Sequence, residues 1–270
     1  MGWSSLTTPF FMEYRDWAFQ ILTADRLEDK LSCPDVLTDF SPGPAVFWKE
    51  PTRPPGMGFE KHTRRDKLPS VHEMNNPDKR AVCLHRFAGH ELLAVEIMAY
   101  ALLAFPGAPS HFRKGVAHTL KEEQNHVRRY QKRLEKMGVQ FGDLPLYRHF
   151  WAYVPSLTTP LKYVSTMSLT FEMANLDFAP FYGAIFAENG DTLSEDLMKG
   201  IFEDEIAHVS FGCRWLKNLK NPANSNWQAW RESLPPLLLP TRAKGPQFFA
   251  NHRRLAGVDD EWIAHLSKTL

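Results

Sequence analysis

The chain has 270 residues, 43% of them hydrophobic and 23% charged, which is typical of a soluble globular protein. Its 32 Lys and Arg balance 31 Asp and Glu, and the formal net charge of +1 argues against a strongly basic nucleic-acid binder. Cys33, Cys83 and Cys213 form neither a disulfide framework nor a Cys-x-x-Cys metal site, which predicts a cytoplasmic location. Residues 1–17 lack the pattern of a secretory signal, and the longest apolar run, 97–105, is too short to span a membrane.

The N-terminal part, residues 1–80, holds nine of the 20 prolines. It is predicted to begin with a helix at 11–31 and to continue as an extended arm around 42–55, where the prolines exclude a helix or a central strand. Phe47 and Trp48 make this arm richer in aromatic residues than a disordered linker. We therefore expect the N-terminal helix and arm to pack on the core.

The middle part, residues 81–220, predicts an all-α fold, because no segment alternates polar and β-branched residues as a strand would. Ser110, Thr159 and Asp191 are typical helix-capping residues. A short helix is expected at 146–153. Four long helices with short links favour an up-down four-helix bundle. The four helices are expected at about 79–105, 110–138, 160–188 and 192–220.

The C-terminal part, residues 221–270, is again rich in proline and is predicted to be an extension of the bundle. Its last residues, 259–269, are expected to form a short helix. Trp227, Trp230 and Trp262 are expected to pack a core surface or a homodimer interface.

Carboxylates interrupt two helices that are otherwise apolar. Glu91 and Glu96 lie in the first predicted helix, and Glu172 and Asp177 lie in the third. A charged group inside an apolar helix is costly unless it is paired or binds a metal. The two pairs therefore indicate a buried polar site.

Two Glu-x-x-His motifs lie in the second and fourth helices, Glu123–His126 and Glu205–His208. The spacing puts carboxylate and imidazole on one helix face, where both can bind one metal ion. Glu91 precedes Glu123 by 32 residues, and Glu172 precedes Glu205 by 33 residues. The chain thus uses one helix pair twice, and the two pairs supply the four carboxylates and two imidazoles of a di-iron or di-manganese site.

On these motifs the middle of the chain resembles the ferritin-like superfamily of carboxylate-bridged di-iron and di-manganese four-helix bundles. The segment from Glu91 to Ala94 resembles the Glu-x-x-Ala by which several members place their first ligand. Within the superfamily the chain is most similar to an uncharacterised bacterial ferritin-like family of unknown function. The motifs span residues 91–208, which is under half of the chain.

The resemblance implies a role for each residue of the set. Glu123 and Glu205 would bridge or chelate the two metals, and each imidazole would bind one metal. Terminal or bridging carboxylates would come from Glu91 and Glu172. The full predicted ligand set is Glu91, Glu123, His126, Glu172, Glu205 and His208.

Two further carboxylates, Glu96 and Asp177, are predicted to support the site without binding metal. They would accept hydrogen bonds from ligand imidazoles or from buried arginines or tyrosines. The alternative for both is a structural salt bridge to an arginine such as Arg128, Arg129 or Arg214. Glu91 is preferred to Glu96 as the ligand because Glu91 gives the intervals of 32 and 33 residues and the Glu-x-x-Ala pattern.

An oxygen-rich site without thiolates favours iron, with manganese or a mixed pair as alternatives. The predicted function is an oxidoreductase that uses O₂ or peroxide to oxidise a small substrate, with an external electron donor. The first alternative is metal storage or a ferroxidase, although extensions of about 80 and 50 residues argue against a minimal ferritin cage. A tRNA-modifying hydroxylase is a further alternative, resting on the basic residues of the stretch 128–136.

Overall fold

The structure is a computed structural model that describes residues 10–60 and 67–269. Residues 1–9, for which no signal peptide is expected, lie outside the described part. The described chain is mostly helical, as the sequence predicts. Its helices are α1 (Tyr14–Thr23), α2 (Leu27–Leu31), α3 (Pro77–Ala104), α4 (Ser110–Glu135), α5 (Pro160–Thr166), α6 (Met173–Glu188), α7 (Thr192–Leu219), α8 (Asn226–Ser233), α9 (Ala250–Leu255) and α10 (Asp260–Ser267).

Two pairs of long helices form the centre of the molecule. Helix α3 packs along α4, and α6 packs along α7. A π-helical segment, Met167–Glu172, joins α5 to α6, so that the chain is helical from 160 to 188. The two pairs meet where α4 contacts α7. Pro160 and Thr192 begin their helices as predicted, with side-chain caps from Thr159 and Asp191.

The N-terminal segment is attached to α3 and α4 by buried polar contacts. Arg113 makes a bidentate ion pair with Asp39 and also donates to the carbonyl oxygens of Leu102 and Phe105 at the end of α3. These carbonyls have no partner within their own helix, so the arginine satisfies them. Trp17 of α1 is fully buried in the same apolar cluster as α3.

The predicted single helix at 11–31 is wrong. Strand β1 (Phe11–Glu13) pairs in parallel with β2 (Val36–Thr38), and α1 ends before α2 begins. The break lets the Lys30 ammonium donate to the carbonyl oxygen of Ile21 near the end of α1. Strands of three residues are too short to show an alternating pattern in the sequence.

Two other local predictions differ from the structure. The segment 146–153 holds a short strand, β4 (Leu146–Tyr147), paired with β3 (Phe59–Glu60), and then a 3₁₀ helix at His149–Ser156. Pro155 lacks the N–H that an α-helix would need there. Ser110 is the first helical residue rather than the cap and makes no capping hydrogen bond.

In the C-terminal segment, α8 packs against α7, α9 packs against α6 and α7, and α10 packs on α8 and α9. Trp230 and Trp262 are buried in one cluster with Leu169 and Val209. Asp259 caps α10 by accepting a hydrogen bond from the N–H of Trp262. The division of the chain at residues 80 and 220 stays a prediction.

Helix α3 is long and apolar enough to cross a membrane when only length and composition are considered. However, 83% of its most apolar 18-residue window is buried inside the protein. That burial is what the central helix of a water-soluble fold requires.

We expect His85 to make folding stability pH dependent. Its Nε2 accepts hydrogen bonds from the N–H groups of Gly142 (2.9 Å) and Leu144 (3.4 Å), which requires a neutral imidazole. Burial lowers the pKa of His85 from 6.5 to about 4. The unfolded chain therefore takes up the proton first as the pH falls. The stabilisation is complete above pH ~6.5 and is lost progressively down to pH ~4, by about 2–3 kcal/mol.

Urea unfolding of metal-stripped protein between pH 7.5 and 5 checks this expectation. His85→Gln should have a shallower pH dependence than the wild type. The control is His118→Gln, because the His118 side chain is 72% exposed. Equal pH slopes for the wild type and H85Q would contradict the assignment.

Candidate metal centre

The structure brings the six predicted ligands to one place between the two helix pairs. Helix α3 carries Glu91, α4 carries Glu123 and His126, the π segment ends at Glu172, and α7 carries Glu205 and His208. All six side chains are buried, with the exposed fraction of each residue at 5% or below. Buried carboxylates in such number need cations, protons or strong donors around them.

Donor atoms from these residues form two groups, within each of which all atoms lie within 4.8 Å of one another. Glu123 belongs to both groups, which is the position of a bridging carboxylate. That these residues bind metal stays a prediction. The first group contains Glu91, Glu123, His126 and Glu205, and the second contains Glu123, Glu172 and His208.

Several donor atoms at this centre have no hydrogen-bond partner among the described residues. They are the two oxygens of Glu172, together with three atoms that face one another as ion pairs without hydrogen-bond geometry: His208 Nδ1 lies 3.1 Å from Glu123 Oε1 and 3.4 Å from Glu205 Oε2. Buried polar atoms in folded proteins are nearly always satisfied, because desolvation without a partner costs about 1–3 kcal/mol each. The two unpartnered oxygens of Glu172 beside this ion-paired group fit a cation site, and oxygen and imidazole donors suit iron or manganese.

The protonation states of the centre agree with this interpretation. Burial, followed by the neighbouring Glu123 and Glu205, raises the pKa of Glu91 well above its usual range. Burial also raises the pKa of Glu172 to about 8. Burial alone would lower the pKa of His126, but Glu123 and Asp204 raise it to about 9. Without metal the centre therefore holds protons, which cations would displace on binding.

Each imidazole is oriented by a carboxylate from the opposite Glu-x-x-His helix. The Nε2 of His126 on α4 lies 3.0 Å from Asp204 on α7, and the Nε2 of His208 on α7 lies 3.1 Å from Glu122 on α4. Both Nδ1 atoms face Glu123, at 3.2 and 3.1 Å. The reciprocal contacts fix which nitrogen faces the centre.

Glu122 and Asp204 are functional candidates that the sequence analysis did not assign to the site. The sequence does contain an indication of their role, because each immediately precedes the glutamate of a Glu-x-x-His motif. Only the three-dimensional pairing of α4 with α7 shows that each acid serves the other helix's histidine.

We expect Asp204→Asn and Glu122→Gln each to weaken metal binding about 10- to 100-fold without abolishing it. The amide cannot hold the imidazole as strongly as a carboxylate does. Competition with a metal-binding dye measures the affinity, and Asp196→Asn, at an exposed position of α7, is the matched control. Unchanged affinity in both variants would show that these carboxylates do not support the site.

The family comparison covers nearly the whole chain. The model of the family described as "Protein of unknown function (DUF455)" matches residues 16–264. The chain belongs to the DUF455 family. No curated protein and no solved structure matches it. The proposed function of this DUF455 protein therefore rests on its own geometry.

Glu96 and Asp177 of the DUF455 protein both pair with buried cations from the terminal extensions. Glu96 contacts the ammonium of Lys30 at 3.1 Å and makes a bidentate hydrogen bond with Arg53. Asp177 makes a bidentate ion pair with Arg253 at 2.6 and 2.8 Å. The arginine partners are therefore Arg53 and Arg253 rather than the examples Arg128, Arg129 and Arg214.

Asp177 also accepts hydrogen bonds from the backbone N–H groups of Gly245 and Phe249, at 2.9 Å each. It thereby holds the segment after the 3₁₀ helix Pro240–Ala243 against α6. These contacts are structural, and none of them involves a predicted ligand. Among the contacts of the described residues, neither Glu96 nor Asp177 accepts a hydrogen bond from a ligand imidazole.

The π-helical segment sets the direction of Glu172. The Thr170 hydroxyl and the Trp230 indole N–H both donate to the carbonyl oxygen of Ser165, which the widened turn leaves accessible. Helix α7 lies very close to this turn at Gly212, where a Cβ atom would be 2.6 Å from the Cβ of Ser168. Glycine at 212 therefore permits the approach that brings Glu172 to the α7 ligands.

A cavity of about 420 Å³ opens beside the centre of the DUF455 protein. Three of the predicted ligands, Glu91, Glu123 and Glu172, form part of its wall. This volume lies in the ~300–1,000 Å³ range of small-molecule sites. Apolar residues form much of the remaining wall, among them Phe87, Ala94, Leu146, Phe150, Met167, Phe171, Ala174, Phe178 and Ile201.

Proposed function

We propose that this DUF455 protein is a ferritin-like di-metal oxidoreductase that uses O₂ or peroxide to oxidise a small substrate. The two helix pairs would form the four-helix bundle. Glu91, His126 and Glu123 would hold one metal, and Glu172, His208 and Glu123 the other, with Glu205 near both. This assignment is supported by the two donor groups, their shared Glu123 and the two unpartnered oxygens of Glu172.

The observation that carries the enzyme proposal is the cavity beside the predicted ligands. A storage site needs a polar route for ions, and a purely structural metal site would be closely packed. A cavity of about 420 Å³ with many apolar side chains suits an organic substrate instead. Its position allows that substrate to approach the ligands directly.

The bound metals would supply the electron transfer to the oxidant, and the protein's residues would supply geometry and protection. Asp204 and Glu122 hold the imidazoles in orientation through their Nε2 atoms. Glu91 and Glu172, whose pKa values are raised by burial, can hold protons before metal binds. The apolar walls exclude water from the reacting substrate. Insertion of one oxygen atom from O₂ would need two further electrons from an external donor.

The structure offers little support for the tRNA alternative. Arg128 donates to the carbonyl oxygen of Leu31, Arg129 pairs with Asp204, and Arg133 pairs with Asp191. These guanidinium groups of α4 make contacts within the chain, which weakens the case for a phosphate-binding face.

A cytoplasmic location is part of the proposal, supported by the free thiols of Cys33, Cys83 and Cys213.

The proposal is tested by anaerobic loading of the protein with ferrous iron, followed by addition of O₂. We expect an O₂-dependent optical change that saturates at about two iron ions per chain and is absent from the His126→Ala/His208→Ala variant. Uptake and oxidation of many more iron ions per chain would favour storage. No O₂-dependent change in iron-loaded protein would contradict the oxidoreductase.

A further inference from the structure

The charged residues around the cavity are divided by sign. Among the described lining residues, every carboxylate is a predicted metal ligand: Glu91, Glu123 or Glu172. The other charged lining residues are all basic: Lys67, Arg86, Arg242 and Lys244. Two of these, Lys67 and Arg242, are exposed to solvent, whereas the three glutamates are buried. The cavity therefore runs from a basic rim to the metal centre.

Arg242 is the basic residue best placed at the rim. It lies on the 3₁₀ helix Pro240–Ala243, and its Nη2 is 2.8 Å from the Nε2 of His149. Lys244 is different, because its ammonium donates to the backbone carbonyls of Leu266 and Thr269. Arg86 lies over the ring of Tyr147, with its guanidinium carbon 4.1 Å from the ring centroid.

A row of flat side chains leads from Arg242 toward Glu172. The His149 ring stacks on His90 with centroids 5.1 Å apart, and His90 lies 4.9 Å from Phe150. Phe150 stacks on Phe171 at 4.1 Å, and Phe171 directly precedes Glu172. Such a row favours a planar apolar body lying against it.

We propose that the cavity binds a small organic acid with a planar or apolar body, its anionic group at Arg242 and its remote end toward Glu91 and Glu172. This substrate class rests on the proposed function, because the metal centre would act on the remote end. A guanidinium favours a carboxylate by charge and by bidentate geometry. The basic rim disfavours amines, and the cavity volume limits the ligand to a small molecule.

The probe pair is trans-cinnamate and its neutral amide, cinnamamide, which differ chiefly in charge. Calorimetric titration of each is performed on the metal-containing protein and on chelator-treated protein. We expect cinnamate to bind at least about tenfold more tightly than cinnamamide in both forms, as a charge-assisted contact requires. Equal affinity for the two probes would overturn the proposal.

The variant Arg242→Gln tests whether Arg242 binds the anionic group of the ligand. It should weaken cinnamate about tenfold or more and leave cinnamamide unchanged. Arg254→Gln is the matched control, because Arg254 is an exposed arginine that pairs with Asp260 away from the cavity lining. Thermal unfolding curves should coincide for both variants and the wild type. If R242Q bound cinnamate with full affinity and that affinity were lost after chelation, the acid would bind the metals. This result would overturn the role of Arg242.

Two further outcomes separate this proposal from its alternatives. Binding of a tRNA that R242Q weakens, together with no binding of cinnamate, would assign the basic rim to nucleic acid and overturn the proposal. Metal content and O₂ reactivity are measured on the same preparations. Preference for the acid in protein that contains no iron or manganese as purified, and that does not react with O₂ after iron loading, would support the ligand class while contradicting the proposed function. Redox metal without acid preference would contradict the ligand class alone.

Discussion

Replacing His126 and His208 together with alanine should abolish stoichiometric binding of iron or manganese while the protein stays folded. The two imidazoles are the only nitrogen donors in the two donor groups of the described chain. Without them the remaining carboxylates repel one another and retain protons, because burial already raises the pKa of Glu91 and Glu172. We expect metal content to fall from about two ions per chain to a small fraction of one.

The control for this experiment removes two imidazoles that lie outside the centre. His72 and His111 are both exposed, so His72→Ala/His111→Ala should keep the full metal content. Metal is measured by elemental analysis after gel filtration, and the helical content by circular dichroism. If the His126/His208 variant retained metal at the level of the wild type, the ligand assignment would be wrong.

Glu91→Gln and Glu96→Gln should have opposite effects, although both glutamates lie on α3. Glu91 belongs to a donor group, and its raised pKa means that a neutral amide resembles its metal-free state. E91Q should therefore lose metal and remain stable. Glu96 is fully buried against Lys30 and Arg53. E96Q leaves those cations without a counter-charge, which costs about 3–5 kcal/mol in the free energy of unfolding.

The comparison is made on metal-free protein for stability and on metal-loaded protein for stoichiometry. Separating the two states is necessary because bound metal would itself raise the free energy of unfolding. Urea unfolding gives the first quantity and elemental analysis gives the second. The reverse pattern, with metal lost in E96Q and retained in E91Q, would show that Glu96 rather than Glu91 is the metal ligand.

Local sequence patterns predicted the long helices and the residues that meet between them. Pro160 and the cap at Asp191 mark helix starts, and the Glu-x-x-His spacing places both side chains on one face. The equal intervals between motifs indicated a repeated helix pair. These signals are short-range or periodic, so they can be detected without knowledge of the tertiary structure.

Long-range partners could not be predicted in the same way. Lys30 and Arg53 come from the N-terminal segment and Arg253 from the C-terminal segment, and none of them belongs to a recognisable motif. The arginines of α4 are nearer to Glu96 and Asp177 in the sequence, but their side chains contact other groups. The π turn before Glu172 was also missed, because it depends on the packing of Gly212 against Ser168.

The cavity is likewise a property of the assembled chain. Its walls combine residues from α3 and α6 with Arg242 from the C-terminal segment. The sequence alone could not locate this cavity. It could not indicate the basic rim, because Lys67, Arg86 and Arg242 are widely separated along the chain.

The most direct test is to count the metal ions in the purified protein. The protein is expressed with iron and manganese both available, and its metal content is measured by elemental analysis. We expect about two ions of iron or manganese per chain. No bound metal, or one zinc ion per chain, would contradict the di-metal centre at Glu91, Glu123, His126, Glu172, Glu205 and His208.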